Sequence, residues 1–222
     1  MSAAVHRVIE IAVVDCETGE AFSTLVKPGR TRVPEKITKL TRIDNEMVNA
    51  PHVPGFALAA ERLELRVAAW AEKRGGAPIL LAAHNADFDV GFLREEYRRI
   101  GRELPSEWRF VDTLGLAQSL LPQHKGRHKL ADLNSHFKLA QHDAHRAEGD
   151  AQMLRNLLGP SGFGSLVPDL HGRLLRAAFA ASTSSGASRR NAATSPRAAE
   201  PLVPEVVQSL LEEADQSDER ED

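Results

Sequence analysis

The chain has 222 residues, 42% of them hydrophobic and 27% charged, which is the composition of a globular protein rather than a fibrous or wholly disordered one. With 28 Lys and Arg against 31 Asp and Glu, the net charge of −3 argues against a general basic coat for nucleic acid, but it allows a local site where acidic residues hold metal ions. The single cysteine excludes an internal disulfide framework, and the longest uncharged apolar runs are roughly half of what a membrane span needs.

The N-terminal half is predicted to begin with a β-hairpin. Residues 7–14 are rich in Val and Ile and predict a strand, Thr18 and Gly19 are typical of the turn that follows, and residues 21–26 predict the second strand. The elements predicted next are helices at 34–41 and 56–73, a strand at 79–83, a helix at 88–100, a strand at 108–111, and helices at 113–121, 130–137 and 147–158. This alternation predicts an α/β domain, and the leading hairpin makes its sheet mixed, flanked by helices.

The composition changes near residue 160. Residues 180–200 are mostly Ala, Ser, Thr, Gly, Arg and Pro, which bury too little apolar surface to order themselves. We therefore expect a domain over residues 1–160 and a largely disordered extension over 161–222. That extension is predicted to carry short helices at 170–179 and 204–214 and to end in a solvated acidic run at 215–222.

A polar cluster follows the strand at 79–83, where the chain turns into a helix. It contains His84, Asn85, Asp87 and Asp89. Open α/β sheets place ligand sites at the carboxyl ends of their strands. Asp87 is well placed to cap the helix, whereas Asp89 lies inside the first turn. From chemistry alone, Asp89 is equally compatible with a ligand-binding role and with a plain helix surface.

A second cluster opens the helix at 147–158. It contains His145, just before the helix, and Asp150, more than one turn later. A histidine near a carboxylate that binds metal is a workable general base for activating water. Taken alone, the pair is better explained as a surface histidine and a helix-face aspartate without a joint role.

Together, and in this order, the two clusters resemble the second and third motifs of the DEDDh 3′–5′ exonuclease family, to which the proofreading subunits of bacterial replicases belong. The matches are His-Asn-Ala-x-Phe-Asp-x-x-Phe-Leu at residues 84–93 and His-x4-Asp at residues 145–150. Segments at 7–14, 22–29, 37–48, 111–114 and 128–130 also fall where the family has similar sequence. The resemblance covers about residues 6–158 and implies a ribonuclease-H-like fold.

The resemblance implies hydrolysis of phosphodiester bonds from the 3′ end of a nucleic acid. Asp150 would then bind metal directly, Asp89 directly or through water, and His145 would deprotonate the attacking water. The implied ion is Mg²⁺ or Mn²⁺, with two ions in an intact family member. His84 and Asn85 are weaker candidates for contact with DNA or RNA. Glu10 interrupts the first apolar run, at residues 8–14, so that no signal sequence is recognisable. We therefore expect an intracellular protein without a membrane partner.

Two further features are weaker signals. A basic loop lies before the third motif and is formed by Lys125, Arg127, His128 and Lys129. It suits contact with nucleic-acid phosphates and an ordinary exposed loop about equally. Glu10 is a carboxylate in a predicted strand, and we expect it to have a structural partner rather than a metal ion.

The family's first motif, Asp-x-Glu-Thr, belongs on a central strand upstream of the strand at 7–14, where this chain has six residues. Asp15, Glu17 and Thr18 spell that motif almost perfectly, but they follow the strand instead of preceding it. We therefore expect Asp15 and Glu17 to lie in the hairpin turn, away from His145. The first central strand is then missing. We expect either an N-terminally incomplete exonuclease or a catalytically inactive nucleic-acid-binding or scaffolding module with the same fold.

Overall fold

The computed structural model describes residues 3–184, and within them the chain forms four strands and eight α-helices. In chain order these are β1 (Glu10–Val14), β2 (Ala21–Leu25), α1 (Glu35–Thr41), α2 (Asn45–Asn49), α3 (Phe56–Lys73), β3 (Ile79–Ala83), α4 (Ala86–Arg99), β4 (Trp108–Asp112), α5 (Thr113–Leu120), α6 (Leu130–His136), α7 (Ala147–Leu158) and α8 (Leu170–Ser184). The predicted alternation of strands and helices is confirmed, and the protein is an α/β protein.

The chain divides into two compact units, each assembled from separate stretches of sequence. The first contains the described parts of Met1–Ala77, Phe88–Leu104 and Ala140–Arg155. The second contains Pro78–Asp87, Pro105–Leu139 and the residues from Asn156 onward that the structure describes. His145 and Asp150 therefore belong to the first unit together with the hairpin, whereas His84 and Asn85 belong to the second.

The first unit is built around the predicted hairpin. Strands β1 and β2 pair antiparallel, with Glu10 opposite Leu25 and Val14 opposite Ala21. The first strand begins three residues later than predicted, because Arg7 and Val8 bind the Glu96 carboxylate of α4 instead of a neighbouring strand. The Arg7 Nε and the Val8 N–H donate to Glu96 Oε1 at 2.7 and 3.2 Å.

Apolar side chains from the helices cover the hairpin and complete the core of the first unit. Val33, Ile43 and Val48 form a buried cluster against which Ile9 and Leu25 pack. Helix α3 has the periodicity predicted for it and buries one face, made of Phe56, Ala59, Ala60, Leu63, Val67 and Trp70. This packing holds β1, and with it Glu10, in a fixed place.

The second unit contains a parallel pair of strands. Ile79 of β3 lies opposite Trp108 of β4, and Ala83 lies opposite Asp112, so that both strands end at the same edge. The pairing of these two strands is as predicted. The described strands form two sheets of two strands, one antiparallel and one parallel, since each described strand has a single hydrogen-bonded neighbour. Both kinds of pairing occur, as expected for a mixed sheet, and no described strand joins the two pairs, as expected if the first central strand is missing.

The first part of the C-terminal extension is helical. Helix α8 includes the predicted 170–179 segment and continues to Ser184; Leu170, Leu174 and Ala178 are buried along it. The Arg109 guanidinium of β4 lies 5.5 Å from the ring centre of Phe179. The predicted helix at 204–214 and the acidic run at 215–222 lie outside the described residues. None of the described helices has the length and apolar composition needed to cross a membrane.

Candidate active site

A tight turn at the start of α7 joins His145 and Asp150. The His145 backbone N–H donates to Asp150 Oδ1 at 3.2 Å, and His145 has a φ of 66°, in the left-handed region that a residue with a side chain seldom adopts. The His145 side chain is exposed and Asp150 is half-buried. The structure therefore brings together the two residues of the predicted second cluster, with the imidazole facing solvent.

Glu10 of β1 holds this turn from the other side. Its Oε1 accepts from Arg146 Nη2 at 2.6 Å, and its Oε2 accepts from the Ala147 N–H at 2.7 Å. The Glu10 side chain is 7% exposed, so these bonds are shielded from water. The prediction that Glu10 has a structural partner is confirmed.

Gly149 lets the loop before α7 fold closely over the helix. A Cβ at this position would lie well inside van der Waals contact with the backbone carbonyl of Asp143. A cavity of about 400 Å³ opens beside this close approach, lined mostly by charged and polar residues that include Glu10, Arg146 and Glu148. The surroundings of the turn therefore suit a polar or charged ligand.

The electrostatic environment of Asp150 opposes its ionisation. Burial raises the pKa of the Asp150 carboxyl most; the hydrogen bond from the His145 N–H and the electrostatic interaction with His145 lower it by less, and the negative charge of Glu10 adds a smaller increase. Among the residues that the structure describes, the His145 N–H is the one hydrogen-bond donor to the Asp150 carboxylate. A carboxylate that is partly desolvated and sparsely bonded retains capacity for a cation.

Asp89 lies in the first turn of α4, exposed to solvent. It belongs to the same compact unit as Asp150. The described residues contain no group of three or more His, Cys, Asp or Glu side chains placed to hold a metal ion. Two ions need several convergent carboxylates, so the described side chains do not make up a complete two-metal site, although carboxylate oxygens are of the right chemical kind for Mg²⁺ or Mn²⁺.

His84, in the second unit, is bonded inside the protein through both ring nitrogens. Nε2 lies 2.6 Å from the His128 carbonyl oxygen, and Nδ1 lies 3.0 Å from Thr113 Oγ1. Burial lowers the pKa of His84, which favours the neutral ring. A carbonyl can accept but not donate, so Nε2 carries the proton. These bonds tie His84 to the loop that holds the exposed Lys125 and Arg127, and a contact of His84 with nucleic acid stays a prediction.

Asn85 and Asp112 complete the turn between β3 and α4. Asn85 is exposed and has a φ of 72°. Asp112 Oδ1 accepts from the N–H groups of Asn85, Ala86 and Leu114 at 2.8, 3.2 and 3.0 Å. One carboxylate thus serves the start of α4 and of α5, a role that we did not predict from the sequence. The local signal was an aspartate directly before a helix, which is a preferred N-cap residue.

The sequence that imitates the family's first motif forms a structural turn, as predicted. Asp15 Oδ1 accepts from the Glu17 and Thr18 N–H groups at 3.1 and 2.8 Å and from the Thr18 hydroxyl at 3.0 Å. Asp15 Oδ2 pairs with Arg74, which also pairs with Glu17 at 3.0 Å. Burial alone would raise the pKa of Asp15, but the bonds from Arg74 and Thr18 outweigh it and the pKa is lowered. Both carboxylates therefore have partners, in the turn itself or in Arg74, which directly follows α3.

Comparison with known protein families gives one match that covers most of the chain. The family model described as Exonuclease matches residues 1–158, the region that contains the hairpin, the β3–α4 turn and the His145 turn. The match includes all of the residues that the sequence predicted for the site.

Three relatives of similar sequence are two proteins named as exonucleases and one DNA polymerase III subunit. The chain is 33% identical over 150 residues to the 3′-5′ exonuclease DinG of Bacillus subtilis, 35% over 156 residues to exonuclease DPD1 of Arabidopsis thaliana, and 34% over 157 residues to DNA polymerase III subunit epsilon of Treponema pallidum. These matches cover 66%, 67% and 68% of this chain. The chain spans 15%, 48% and 66% of the three relatives' own lengths.

Solved structures show the same fold. A full-length 3′-exonuclease aligns with a TM-score of 0.57 at 15% identity, over 68% of this chain and 69% of that one. A 3′-exonuclease described in 3′-end recognition of a histone mRNA stem-loop aligns with a TM-score of 0.51 at 13% identity, over 67% of this chain and 79% of that one. At these identities the likeness shows the fold alone, which is the ribonuclease-H-like fold expected from the sequence.

Proposed function

The chain belongs to the exonuclease family, and from that membership we propose that it hydrolyses phosphodiester bonds at the 3′ end of a nucleic acid and releases nucleoside monophosphates. The observation that carries the proposal is the bonded turn of His145 and Asp150, in which the backbone of the exposed His145 binds the half-buried Asp150 carboxylate. Two relatives are named as exonucleases, which supports exonuclease activity. A 3′-exonuclease of similar fold is described with a histone mRNA stem-loop, which supports a nucleic-acid substrate.

In this proposal His145 is the general base. Its exposed ring lies where a water molecule and a substrate can approach it from solvent, and an imidazole nitrogen is a workable proton acceptor for water. A ring that takes a proton from water next to the scissile phosphate generates the attacking hydroxide. The hydrogen bond from the His145 backbone to Asp150 constrains the turn from which the imidazole projects.

Asp150 and Asp89 are the proposed ligands for Mg²⁺ or Mn²⁺. Bound to such carboxylates, the ion would neutralise phosphate charge and make bound water more acidic. The described side chains do not complete a two-ion site. In this proposal, the metal ligands that the chain supplies are these two carboxylates. The raised pKa of Asp150 is compatible with a ligand role, because a bound cation would offset the desolvation that disfavours the ionised carboxyl.

Strand cleavage by the full 222-residue chain tests the proposal. Single-stranded DNA and RNA, each labelled at the 5′ end, are incubated with Mg²⁺, Mn²⁺ or EDTA, and a matching oligonucleotide with a blocked 3′ end serves as substrate control. We expect a ladder of products shortened from the 3′ end that EDTA and the 3′ block both suppress. Equal cleavage of free and blocked ends would contradict the assigned polarity, and binding without any hydrolysis would show a non-catalytic module.

The His145→Ala variant tests the general base in the same assay. We expect turnover to fall by about 10²–10⁴-fold, the usual effect of losing such a group, with an unchanged melting temperature because the ring is exposed. His52→Ala is the matched control, since His52 is also exposed and lies outside the turn. Unchanged turnover in His145→Ala would remove His145 from the mechanism.

A further inference from the structure

Glu10 reaches from the first residue of β1 to the backbone that follows His145. Arg146 donates to it through Nη2 at 2.6 Å and Nε at 3.1 Å, and the Ala147 N–H donates at 2.7 Å. Both carboxylate oxygens are thus occupied, and the side chain is almost fully buried. The position of the acceptor is fixed by the β1–β2 ladder, in which Glu10 lies opposite Leu25.

The backbone that Glu10 binds is under strain. His145 adopts a left-handed φ of 66°, a conformation that persists in a non-glycine residue where the surroundings hold it. The two residues directly after it are those that bind Glu10. The Ala147 N–H is also one of the helix-start groups that lack a partner within the helix, and a negative charge is favourable at that end of a helix.

The geometry points to Glu10 as a positioning residue: by fixing Arg146 and Ala147 it holds the His145 turn against Asp150. A metal-ligand role for Glu10 is disfavoured, because its oxygens already accept from Arg146 and Ala147. The catalytic consequence of this proposal rests on the proposed function, since it is turnover by His145 that the positioning would serve. The geometric part stands on the contacts alone and is measurable without activity.

Two variants of Glu10 and one control test the proposal. Glu10→Ala removes both acceptor oxygens, and Glu10→Gln keeps one oxygen for the Ala147 N–H while removing the charge that pairs with Arg146. Glu20→Gln is the matched control, because Glu20 stands at the other end of the same hairpin and pairs with Arg66 and Lys73 of α3. Each variant is examined for melting temperature, for hydrogen exchange of the Ala147 amide by NMR, and for kcat and KM.

We expect the Ala147 amide to exchange about 10-fold faster or more in Glu10→Ala, because it loses its acceptor. We expect kcat to fall about 10²-fold in Glu10→Ala, as for a misplaced catalytic group, and less in Glu10→Gln, with KM nearly unchanged in both. Glu20→Gln should match the wild type in exchange and in kcat. If Glu10→Ala does not fold, the same comparison is made between Glu10→Gln and Glu20→Gln.

Two results would overturn the proposal. One is an Ala147 amide that exchanges at the wild-type rate in a folded Glu10→Ala, and the other is a wild-type kcat in Glu10→Ala with an active parent protein. An inactive parent protein would instead contradict the proposed function. In that event the exchange rate alone decides whether Glu10 holds the turn, so the two failures are distinguishable.

Discussion

Two turns of the first compact unit each contain an aspartate that accepts a backbone N–H, yet their electrostatics are opposite. In the hairpin turn, Asp15 accepts two N–H groups and a hydroxyl and pairs with Arg74. At the start of α7, Asp150 accepts the N–H of His145. The pKa of Asp15 is lowered, and the pKa of Asp150 is raised, mainly by burial.

The difference separates a structural carboxylate from one that suits a ligand. The bonding capacity of Asp15 is used within the fold, so its ionised form is stabilised where it stands. Asp150 is partly desolvated with little compensation, which destabilises its ionised form until a cation or a proton arrives. Sequence similarity to a catalytic motif points to the Asp15 turn, but the contacts favour the Asp150 turn.

Removal of the Asp15 carboxylate should have the largest effect on stability. Asp15→Ala leaves two N–H groups without their acceptor and removes the buried carboxylate that pairs with Arg74, and we expect a loss of about 3 kcal/mol in the free energy of unfolding. That loss corresponds to a fall of about 6–12 °C in melting temperature, measurable by circular dichroism. Leu65→Ala, at an exposed site on α3, is the control for a substitution that removes no such contact. An unchanged melting temperature in Asp15→Ala would contradict its structural role.

Gly149→Ala tests how tightly the Asp150 turn is packed. The added methyl group meets the Asp143 carbonyl, and we expect a loss of about 1–3 kcal/mol from this overpacking. Gly91→Ala in α4 is the matched control, because a Cβ there meets no atom within 4 Å, and Ala is favoured over Gly in a helix by up to about 1 kcal/mol. If Gly149→Ala is as stable as Gly91→Ala, the loop before α7 is looser than its contacts indicate.

The pH dependence of stability should show the smallest effect, with opposite signs at the two aspartates. The lowered pKa of Asp15 gives stability that is present above the unfolded value, about 3.9, and is lost as the pH falls through the folded value. The raised pKa of Asp150 makes its ionised form unfavourable at neutral pH; this penalty begins to fall as the pH drops through the raised pKa and is gone below the unfolded value.

Melting temperatures of Asp15→Asn and Asp150→Asn between pH 3 and pH 7 check these signs. We expect Asp15→Asn to be less stable than the wild type at pH 7 and Asp150→Asn to be slightly more stable, with both differences shrinking toward pH 3. A destabilised Asp150→Asn at pH 7 would show that the Asp150 carboxylate is satisfied in the fold by contacts that favour its charge.

Local patterns predicted most of the elements, because alternation, turn residues and apolar periodicity depend on neighbours in sequence. They gave the hairpin and its turn, the bounds of α3 and α7, and the pairing of β3 with β4. They missed α2, a helix of five residues that is too short to show periodicity. The expectation that the first central strand is missing came from the family resemblance, because the pattern of a strand does not say which strands share a ladder.

The contacts that define the candidate site were less predictable, because they join distant parts of the chain. The residues His145 and Asp150 followed from a motif, but the left-handed conformation of His145 did not. Glu10 and Arg146 are 136 positions apart, and Asp15 and Arg74 are 59 apart. Such pairs form only when packing brings their elements together, so a sequence predicts that a strand carboxylate has a partner but not which one.

Activity and stability of Asp150→Asn and Asp15→Asn, measured side by side, test most directly which turn belongs to the active site. Release of 3′ nucleotides is followed in Mg²⁺ at a temperature well below both melting transitions. We predict that Asp150→Asn melts at or slightly above the wild-type temperature and loses at least about 10²-fold in turnover, as expected for a group that acts in the transition state. We predict that Asp15→Asn melts lower and keeps the wild-type turnover. Full activity in Asp150→Asn together with loss of activity in a folded Asp15→Asn would contradict the account.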